Sequence, residues 1–254
     1  MGWSCPMRVE AIKTHKIDKD DAISKILDQY IKTIEDEDII VITSKILSIV
    51  QGRLVQKDSI NKRLLVYQEA DLVLETNSNP YDLYLTIKNN VLIPSAGIDE
   101  SNVDGHYVLY PENIQETAAW IWEYLKKRHN IQKLGIVITD SHTTIMRRGV
   151  TGIALGWCGF EALYSYINKL DLCGNTLRVT QVNILDSLAT AAVFVMGEGN
   201  EQTPLAIIRD APKISFLNRV PTVDEQKAIV ISMEEDLYAP LLRGAKWSKI
   251  ISTK

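Results

Sequence analysis

The chain has 254 residues, of which 46% are hydrophobic and 24% charged, and its formal net charge is -4. This composition is typical of a globular protein with a substantial core, in one large domain or two small ones. The slight acidity gives no reason to expect a nucleic-acid surface. No apolar run approaches the roughly 20 residues that a membrane helix needs, so we expect no membrane span.

Three cysteines, Cys5, Cys158 and Cys173, form no CxxC motif. This sparse use of cysteine favours a reducing compartment, so we expect a cytoplasmic protein without disulfides. The first six residues lack a charged segment followed by a long apolar one, which argues against a signal peptide. We interpret residues 1–6 as an N-terminal extension and residues 7–254 as a single domain with room for two subdomains.

Hydrophobic periodicity predicts the secondary structure of the first half of the chain. Residues 20–34 carry apolar side chains at the spacing of one helical face, with Asp20 as a candidate N-cap. The other predicted elements are a strand at 8–14, a buried strand at 38–43, a helix at 61–74, and two strands at 83–87 and 91–93 around a hairpin turn.

In the second half, residues 112–128 form a predicted helix that faces inward with Ala118, Ile121, Trp122 and Leu125. Further predicted elements are a buried strand that begins at residue 135, a strand at 176–181, a buried helix at 185–196, a strand at 205–208, and an amphipathic helical segment from Thr222. Because strands and helices are interleaved throughout, the chain is predicted to be α+β (mixed α/β).

The apolar run that begins at Gly135 stops at Thr139, Asp140 and Ser141. A short β-branched run of this kind is typical of a buried strand. Ligands in open α/β sheets bind just beyond the carboxyl ends of such strands. We therefore expect Asp140 to lie just past the end of its strand, beside a ligand.

Three acidic residues, Asp99, Asp140 and Glu198, fall at the ends of predicted elements. Oxygen ligands of this kind suit Mg²⁺ or Mn²⁺. For each residue alone, an Asx turn, a helix cap or a solvated loop charge is the better interpretation. The three together favour a metal site.

Basic and glycine residues near these acids suit a phosphate or carboxylate ligand. Arg147 and Arg148 can clamp such a group, and a solvated basic turn is an equally good interpretation. Lys45 can reach a phosphate or extend along the surface. Gly197 and Gly199 would allow backbone amides to approach phosphate. The sequence has no GxxxxGK[ST], GxGxxG, HExxH or GxSxG motif, and its histidines lack zinc-ligand spacing.

Read in order, these clusters resemble the γ-glutamyl ligase family that adds glutamate to the precursor of the deazaflavin coenzyme F420. The resemblance covers nearly the whole chain from residue 7 to 211. Its segments are DIIVITSKILSIVQGR at 38–53, SAGIDESNV at 95–103, GIVITDSHTTIMRRGVTGIALG at 135–156, DLCGNTLRVT at 171–180 and MGEGNEQTP at 196–204.

The resemblance implies an α+β fold, an intertwined homodimer and a ligase that uses GTP or ATP, with two Mg²⁺ or Mn²⁺ ions and K⁺ as a further candidate. The γ-phosphate would pass to the carboxylate of a small-molecule acceptor, and the amine of L-glutamate would attack the acyl phosphate. Asp140, Arg147 and Arg148 are the predicted catalytic residues. The predicted metal ligands are Asp99, Asp140, Ser141 and Glu198. The predicted nucleotide contacts are Thr14, His15, Lys16, Ile17, Ser44, Lys45, Asn102, Met196, Gly197 and Gly199.

The chain departs from the family pattern at two places. Ile49 stands where the family usually has a lysine, five residues after the nucleotide-contacting serine. Thr143 and Thr144 stand where it commonly has Gly-Arg. These departures leave the acceptor open between the deazaflavin precursor and a folate-like molecule, as in the subgroup of γ-glutamate ligases ascribed to folate metabolism. They also motivate one alternative, a homologue that binds a nucleotide or metabolite without catalysis. A metal-dependent hydrolase that uses the same carboxylates is a third and less favoured alternative.

Overall fold

The computed structural model describes residues 6–74, 81 and 83–249. The predicted extension at residues 1–6 lies outside this part of the chain, except for Pro6. The helices are α1 (Ile23–Tyr30), α2 (Ser44–Val50), α3 (Lys62–Glu69), α4 (Ile114–His129), α5 (Ile184–Met196), α6 (Val223–Ala228) and α7 (Ala239–Gly244). None of the helices in the described residues is long and apolar enough to cross a lipid bilayer.

The first seven strands are β1 (Arg8–Ile12), β2 (Asp38–Thr43), β3 (Leu54–Gln56), β4 (Leu72–Leu74), β5 (Leu85–Lys88), β6 (Val91–Pro94) and β7 (His106–Val108). The others are β8 (Leu134–Thr143), β9 (Val150–Cys158), β10 (Leu163–Ser165), β11 (Gln181–Asn183), β12 (Leu205–Arg209) and β13 (Trp247–Ser248). The mixed α and β composition predicted from the sequence is confirmed.

A five-stranded sheet in the order β1-β12-β2-β8-β9 forms the centre of the protein. Strands β2 and β8 run parallel, and the other neighbours in this sheet run antiparallel. A four-stranded sheet, β13-β4-β5-β6, and two pairs, β3-β7 and β10-β11, lie outside it. The parallel pair is buried on both faces, as its nearly continuous apolar sequence requires.

The alternation of side chains along β2 divides the core into two layers. Ile40 and Ile42 pack on one face against α1, α2 and α4. Ile39 and Val41 pack on the other face against α5. The inward face predicted for α4 is confirmed, because Ala118, Ile121, Trp122 and Leu125 are all buried. The Trp122 indole donates a hydrogen bond to the Leu134 carbonyl at 2.9 Å, which fixes α4 against β8.

The structure corrects three predicted elements. The predicted helix at 61–74 ends at Glu69, and its last residues form β4, which pairs with β5. The strand predicted at 176–181 is instead Gln181–Asn183, because Asp171 accepts backbone hydrogen bonds from Cys173 and Asn175 and closes the preceding segment into turns. The C-terminal helical segment divides into α6 and α7.

One prediction was wrong at a helix start, and one helix was not predicted. Helix α1 begins at Ile23 and not directly after Asp20, because the Asp21 carboxylate accepts the Asp18 amide and closes a turn first. Helix α2, directly after β2, was not predicted at all. The hairpin turn between β5 and β6 is confirmed, with Asn89 and Asn90 both at positive φ as a type I′ turn demands.

Small residues allow α5 to approach strands β8 and β9 closely. A Cβ added to Gly152 would lie 2.4 Å from the Ala189 carbonyl oxygen and 2.8 Å from Thr190 Cα, both in α5. Thr190 also donates a hydrogen bond to the Gly152 carbonyl at 2.8 Å. Gly152 pairs with Ser141 across the strands, so this contact sets the position of α5 beside the candidate site.

We therefore expect Gly152→Ala to lower the free energy of unfolding by about 2 kcal/mol, because helix backbone cannot move away as a flexible side chain would. Chemical denaturation measures this change. Gly244→Ala is the matched control, since no atom lies within 4 Å of the added methyl group, and we expect it to change stability by less than about 1 kcal/mol. Equal stability of Gly152→Ala and wild type would show that the α5 contact is not tight.

Candidate active site

Strand β8 extends beyond its parallel neighbour. The β2–β8 pairing ends at Thr43–Thr139, whereas β8 continues to Thr143 against β9 alone. The expectation that Asp140 lies past the end of its strand was wrong. The chain of β2 turns into α2 at Ser44, which leaves one edge of β8 free at Asp140 and Ser141. A register shift between Ile138 and Thr139 accompanies this change.

A cavity of about 680 Å³ opens at this free edge. Residues 14–17, 139–143 and 196–204 line it, together with parts of the segments 43–49 and 93–104. These segments come from five separate places in the sequence. The cavity therefore lies where the parallel strands end, as the sequence analysis expected for a ligand site.

Most of the predicted site residues line this cavity, namely Thr14, His15, Lys16, Ile17, Lys45, Asp99, Asn102, Asp140, Ser141, Met196, Gly197, Glu198 and Gly199. Three predicted residues do not. Ser44 is buried in the first turn of α2, where its carbonyl accepts the Ser48 hydroxyl at 3.2 Å. Arg147 and Arg148 are exposed in the loop between β8 and β9.

Hydrogen bonds join the loops that form the cavity walls. The Thr14 amide donates to the Gln202 carbonyl at 2.8 Å, and the Asn102 side-chain amide donates to the Gly199 carbonyl at 3.3 Å. The Thr203 hydroxyl donates to the Met196 carbonyl. Three segments are thus held as one wall of the cavity. They are the loop between β1 and α1 (residues 13–22, called the first loop below), the segment after β6 and the loop after α5.

The two glycines of this wall do not offer free amides in this conformation. The Gly199 amide donates to the Glu201 carboxylate at 2.8 Å, and the Gly197 amide ends α5 by donating to the Val193 carbonyl. A Cβ on Gly197 would lie 2.6 Å from Glu201 Cδ, so only glycine admits the Glu201 side chain here. Glu201 thus occupies the place where the sequence analysis expected phosphate.

His15 is fixed within the first loop by two side chains. Its Nδ1 lies 2.7 Å from the Tyr30 hydroxyl, and its Nε2 lies 3.0 Å from an Asp21 carboxylate oxygen. The Tyr30 hydroxyl also accepts the His15 amide at 2.9 Å. A backbone hydrogen bond from Asp18 and the His15 ring hold the pKa of Asp21 below its ordinary value. The first loop is therefore anchored to α1.

Asp140 is half-buried at the base of the cavity, and protein groups replace most of its water. This burial raises the pKa of its carboxyl to about 7. The Ser141 amide, which donates to Asp140 at 2.9 Å, opposes the shift. The Tyr110 hydroxyl also lowers this pKa, although it makes no hydrogen bond of normal geometry to any described residue.

Asp99 lies on the facing wall and forms an ion pair with Lys45, with Nζ and Oδ2 2.5 Å apart. Its other oxygen accepts the Ser101 amide at 2.7 Å. Burial would raise the pKa of Asp99, but Lys45 and Ser101 outweigh it and hold this pKa below the ordinary value. Lys45 also donates to the Ser101 hydroxyl at 2.9 Å.

Glu198 completes the acidic group. Burial raises its pKa, and the negative charges of Asp99 and Glu201 add to that shift. The Ser141 side chain and Lys45 oppose it. Asp99, Asp140 and Glu198 therefore share one electrostatic environment in which Lys45 supplies the opposing positive charge.

The donor chemistry of this group fits a divalent cation, because carboxylate and hydroxyl oxygens line one cavity in which negative charge exceeds positive charge. The buried Tyr110 hydroxyl, which interacts with Asp140, adds a further oxygen at the site. Among the described residues, however, no three histidine, cysteine or acidic side chains are already grouped closely enough to hold a metal. Asp99 is instead paired with Lys45.

Sequence reasoning missed Tyr110, Ser101 and Glu201. Tyr110 packs on Gly97, whose added Cβ would lie 2.2 Å from the ring, and this long-range contact leaves no local pattern. Ser101 and Glu201 lie inside segments already singled out as family-like, so their neighbours Asp99 and Gly199 could have drawn attention to them.

The fold and the acidic cavity define a mixed α/β protein with a site suited to cations and anionic ligands. A sequence profile described as F420-0:Gamma-glutamyl ligase matches residues 11–210. The chain is 32% identical to coenzyme F420:L-glutamate ligase of Methanocaldococcus jannaschii over 85% of this chain and 89% of that protein. Proteins of the same name in Methanococcus maripaludis and Methanosarcina mazei are 30% and 31% identical, over 87% and 80% of this chain and 91% and 86% of their own lengths.

The chain is therefore a ligase of the kind that forms γ-glutamyl bonds. It belongs to the F420-0:gamma-glutamyl ligase family. The family resemblance expected from the sequence motifs is confirmed.

The raised pKa of Asp140 predicts a pH-dependent stability of the metal-free protein. Folding favours the protonated form of the Asp140 carboxyl. The contribution of this group to the free energy of unfolding is therefore complete below about pH 4 and is lost as the pH rises toward about 7. Asp140→Asn lacks this loss. From about pH 5 to pH 8, the free energy of unfolding of Asp140→Asn should rise relative to that of wild type by on the order of 2 kcal/mol. This is less than the full pKa shift implies, because the Asp140 carboxylate is still partly exposed to the cavity.

Urea denaturation with a chelator present measures this difference at both pH values. Asp20→Asn, at an exposed position between β1 and α1, is the control and should follow wild type. A constant difference between Asp140→Asn and wild type would contradict the electrostatic description of the site.

Proposed function

We propose that the cavity binds a nucleoside triphosphate, GTP or ATP, and joins L-glutamate to a carboxylate of a small-molecule acceptor through an acyl phosphate. The observation that carries this proposal is the shared environment of Asp99, Asp140 and Glu198 at the free edge of β8. Family membership and the names of the relatives support the γ-glutamyl bond and point to the deazaflavin precursor as the first acceptor to test.

The reaction has two displacements. A carboxylate oxygen of the acceptor attacks the γ-phosphorus, the bond to the leaving nucleoside diphosphate breaks, and an acyl phosphate forms. The amine nitrogen of glutamate then attacks the acyl carbon, phosphate leaves, and the nitrogen loses a proton. Phosphoryl transfer of this kind depends mainly on alignment and charge neutralisation.

Asp99, Asp140, Ser141 and Glu198 would hold Mg²⁺ or Mn²⁺. When bound, such a cation neutralises phosphate charge and aligns the transferring group. The protein itself supplies the remaining contacts. Lys45 offers a positive charge inside the cavity, and Asn102 joins the wall that would face the nucleotide. The Gly199 amide becomes available to phosphate when the Glu201 carboxylate moves away.

Ile49 and Thr143 also line the cavity. An isoleucine there gives an apolar wall where relatives are expected to carry a charge, so phosphate contact falls to Lys45. This supports testing folate-like acceptors and both nucleotides beside the deazaflavin precursor. Arg147 and Arg148 lie outside the cavity wall in this chain and are not assigned a role in binding here.

We further propose a cytoplasmic homodimer. Several large apolar side chains are exposed in the described chain, with Leu172, Met146, Phe194 and Val179 at 107%, 97%, 87% and 84% of their full exposure. Large exposed apolar side chains are available for protein–protein contact where they come together in one patch. Met146 belongs to the same β8–β9 loop as the two arginines, which would place that loop at the contact.

The proposed function is tested by incubating the protein with GTP or ATP, Mn²⁺ or Mg²⁺, L-glutamate, and the deazaflavin precursor or a folate. We expect phosphate release coupled to a product heavier by one glutamyl unit. Asp140→Asn should lose turnover by at least about 100-fold and bind Mn²⁺ weakly, because it removes charge aimed at the reacting group. Calorimetry measures the Mn²⁺ affinity.

Asp104→Asn is the matched control, since Asp104 is a fully exposed carboxylate at the cavity rim. It should retain most turnover and Mn²⁺ binding. Phosphate release that ignores glutamate would support a hydrolase instead. Nucleotide binding without release or ligation would support a homologue that has lost catalysis.

A further inference from the structure

Lys45 occupies an unusual place in the cavity. It is the second residue of α2, and its side chain is 28% exposed. Its ammonium lies 2.5 Å from Asp99 Oδ2 and 2.9 Å from the Ser101 hydroxyl. It also acts electrostatically on Asp140 and Glu198 across the cavity. One ammonium thus faces all three carboxylates of the acidic group.

Both oxygens of Asp99 are already engaged. Oδ2 pairs with the Lys45 ammonium, and Oδ1 accepts the Ser101 amide. A cation that binds Asp99 through Oδ2 would meet the ammonium at the same oxygen. Two positive charges at one carboxylate oxygen repel each other strongly in a partly dehydrated cavity. The ion pair and a bound cation therefore exclude each other at this oxygen.

A lysine side chain can make this exchange, because it carries its charge on a flexible four-carbon stem. Released from Asp99, the ammonium remains inside a cavity whose other wall is the loop after α5. Because the bound divalent cation would then occupy Asp99, the Lys45 ammonium would need another anion as its partner. A nucleotide phosphate supplies that anion.

We propose that Lys45 is an exchangeable counterion, which a divalent cation displaces from Asp99 and which then pairs with a phosphate of the nucleotide. The proposal rests on the proposed function and adds a coupling between its two ligands. Each ligand favours the same position of Lys45, so each raises the affinity for the other. Binding of the first ligand prepares the site for the second, and the coupling is reciprocal.

An exchangeable counterion at Lys45 predicts that Lys45→Met changes the affinity for Mn²⁺ and the affinity for the nucleotide in opposite directions. Without the ammonium, Mn²⁺ alone should bind more tightly, by about 5-fold or more, because nothing competes for Asp99. The nucleotide alone should bind more weakly, and the mutual enhancement of the two ligands should disappear. A residue needed only for structure would weaken the binding of both ligands together.

The experiment titrates Mn²⁺ by electron paramagnetic resonance, with and without GTP or ATP, into wild type, Lys45→Met and Lys45→Arg. Lys45→Arg keeps the charge and should bind Mn²⁺ alone no more tightly than wild type. Ser101→Ala removes one of the two Lys45 contacts at an exposed position and should tighten Mn²⁺ binding to a smaller extent. Ser101→Ala decides the question if Lys45→Met does not fold.

Mn²⁺ binding that neither Lys45→Met nor Ser101→Ala tightens contradicts the exchange and leaves the proposed ligase function intact. Failure of every variant, wild type included, to bind Mn²⁺ with nucleotide present contradicts metal-dependent function, and the exchange with it. Tighter Mn²⁺ binding by Lys45→Met, with weaker nucleotide binding, supports the exchange.

Discussion

The difference in length between two parallel strands is the constraint on which the site depends. β8 continues through residues 140–143 after β2 has turned into α2. The four extra residues keep their hydrogen bonds to β9 but present a free edge to the cavity. That edge carries Asp140 and Ser141 to partly buried positions in the cavity, where a carboxylate is costly unless it finds a counter-charge.

The rest of the architecture maintains this unfavourable charge arrangement. The two-layered core holds the central sheet rigidly from both faces. Gly152 lets α5 lie against the strands, which brings the loop after Met196 to the free edge. The resulting excess of carboxylates lowers stability, and in the proposed function a bound cation would relieve this cost. Functional sites commonly lower the stability of the fold, because they retain strain or charge that binding requires.

The sequence predicted the long, strongly patterned elements because their burial is visible in their periodicity. β2, α4 and α5 are of this kind. Short elements were missed or misplaced, since three residues of β4 and seven of α2 give too few positions for a period to show. Their structure depends on tertiary partners that lie elsewhere in the chain.

The candidate site was predicted in the same uneven way. Asp99, Asp140 and Glu198 were grouped because each falls at the end of a predicted element, and the family motifs supported the grouping. Their separation in the sequence gives no local spacing that links them. Ser44 and Lys45 were both predicted as nucleotide contacts, but successive helical residues point about 100° apart, and of these two only Lys45 lines the cavity. Arg147 and Arg148 do not line the cavity, because β8 extends past Thr139 and they lie in the exposed loop that follows it.

The central claim is that the free edge of β8 supports transfer of phosphate to a carboxylate before the peptide bond forms. The direct test uses an acceptor whose carboxylate is labelled with oxygen-18, and follows the label by mass spectrometry. An acyl phosphate requires one labelled oxygen in each released phosphate for every glutamyl product. Unlabelled phosphate, formed at the same rate as the product, would contradict the account.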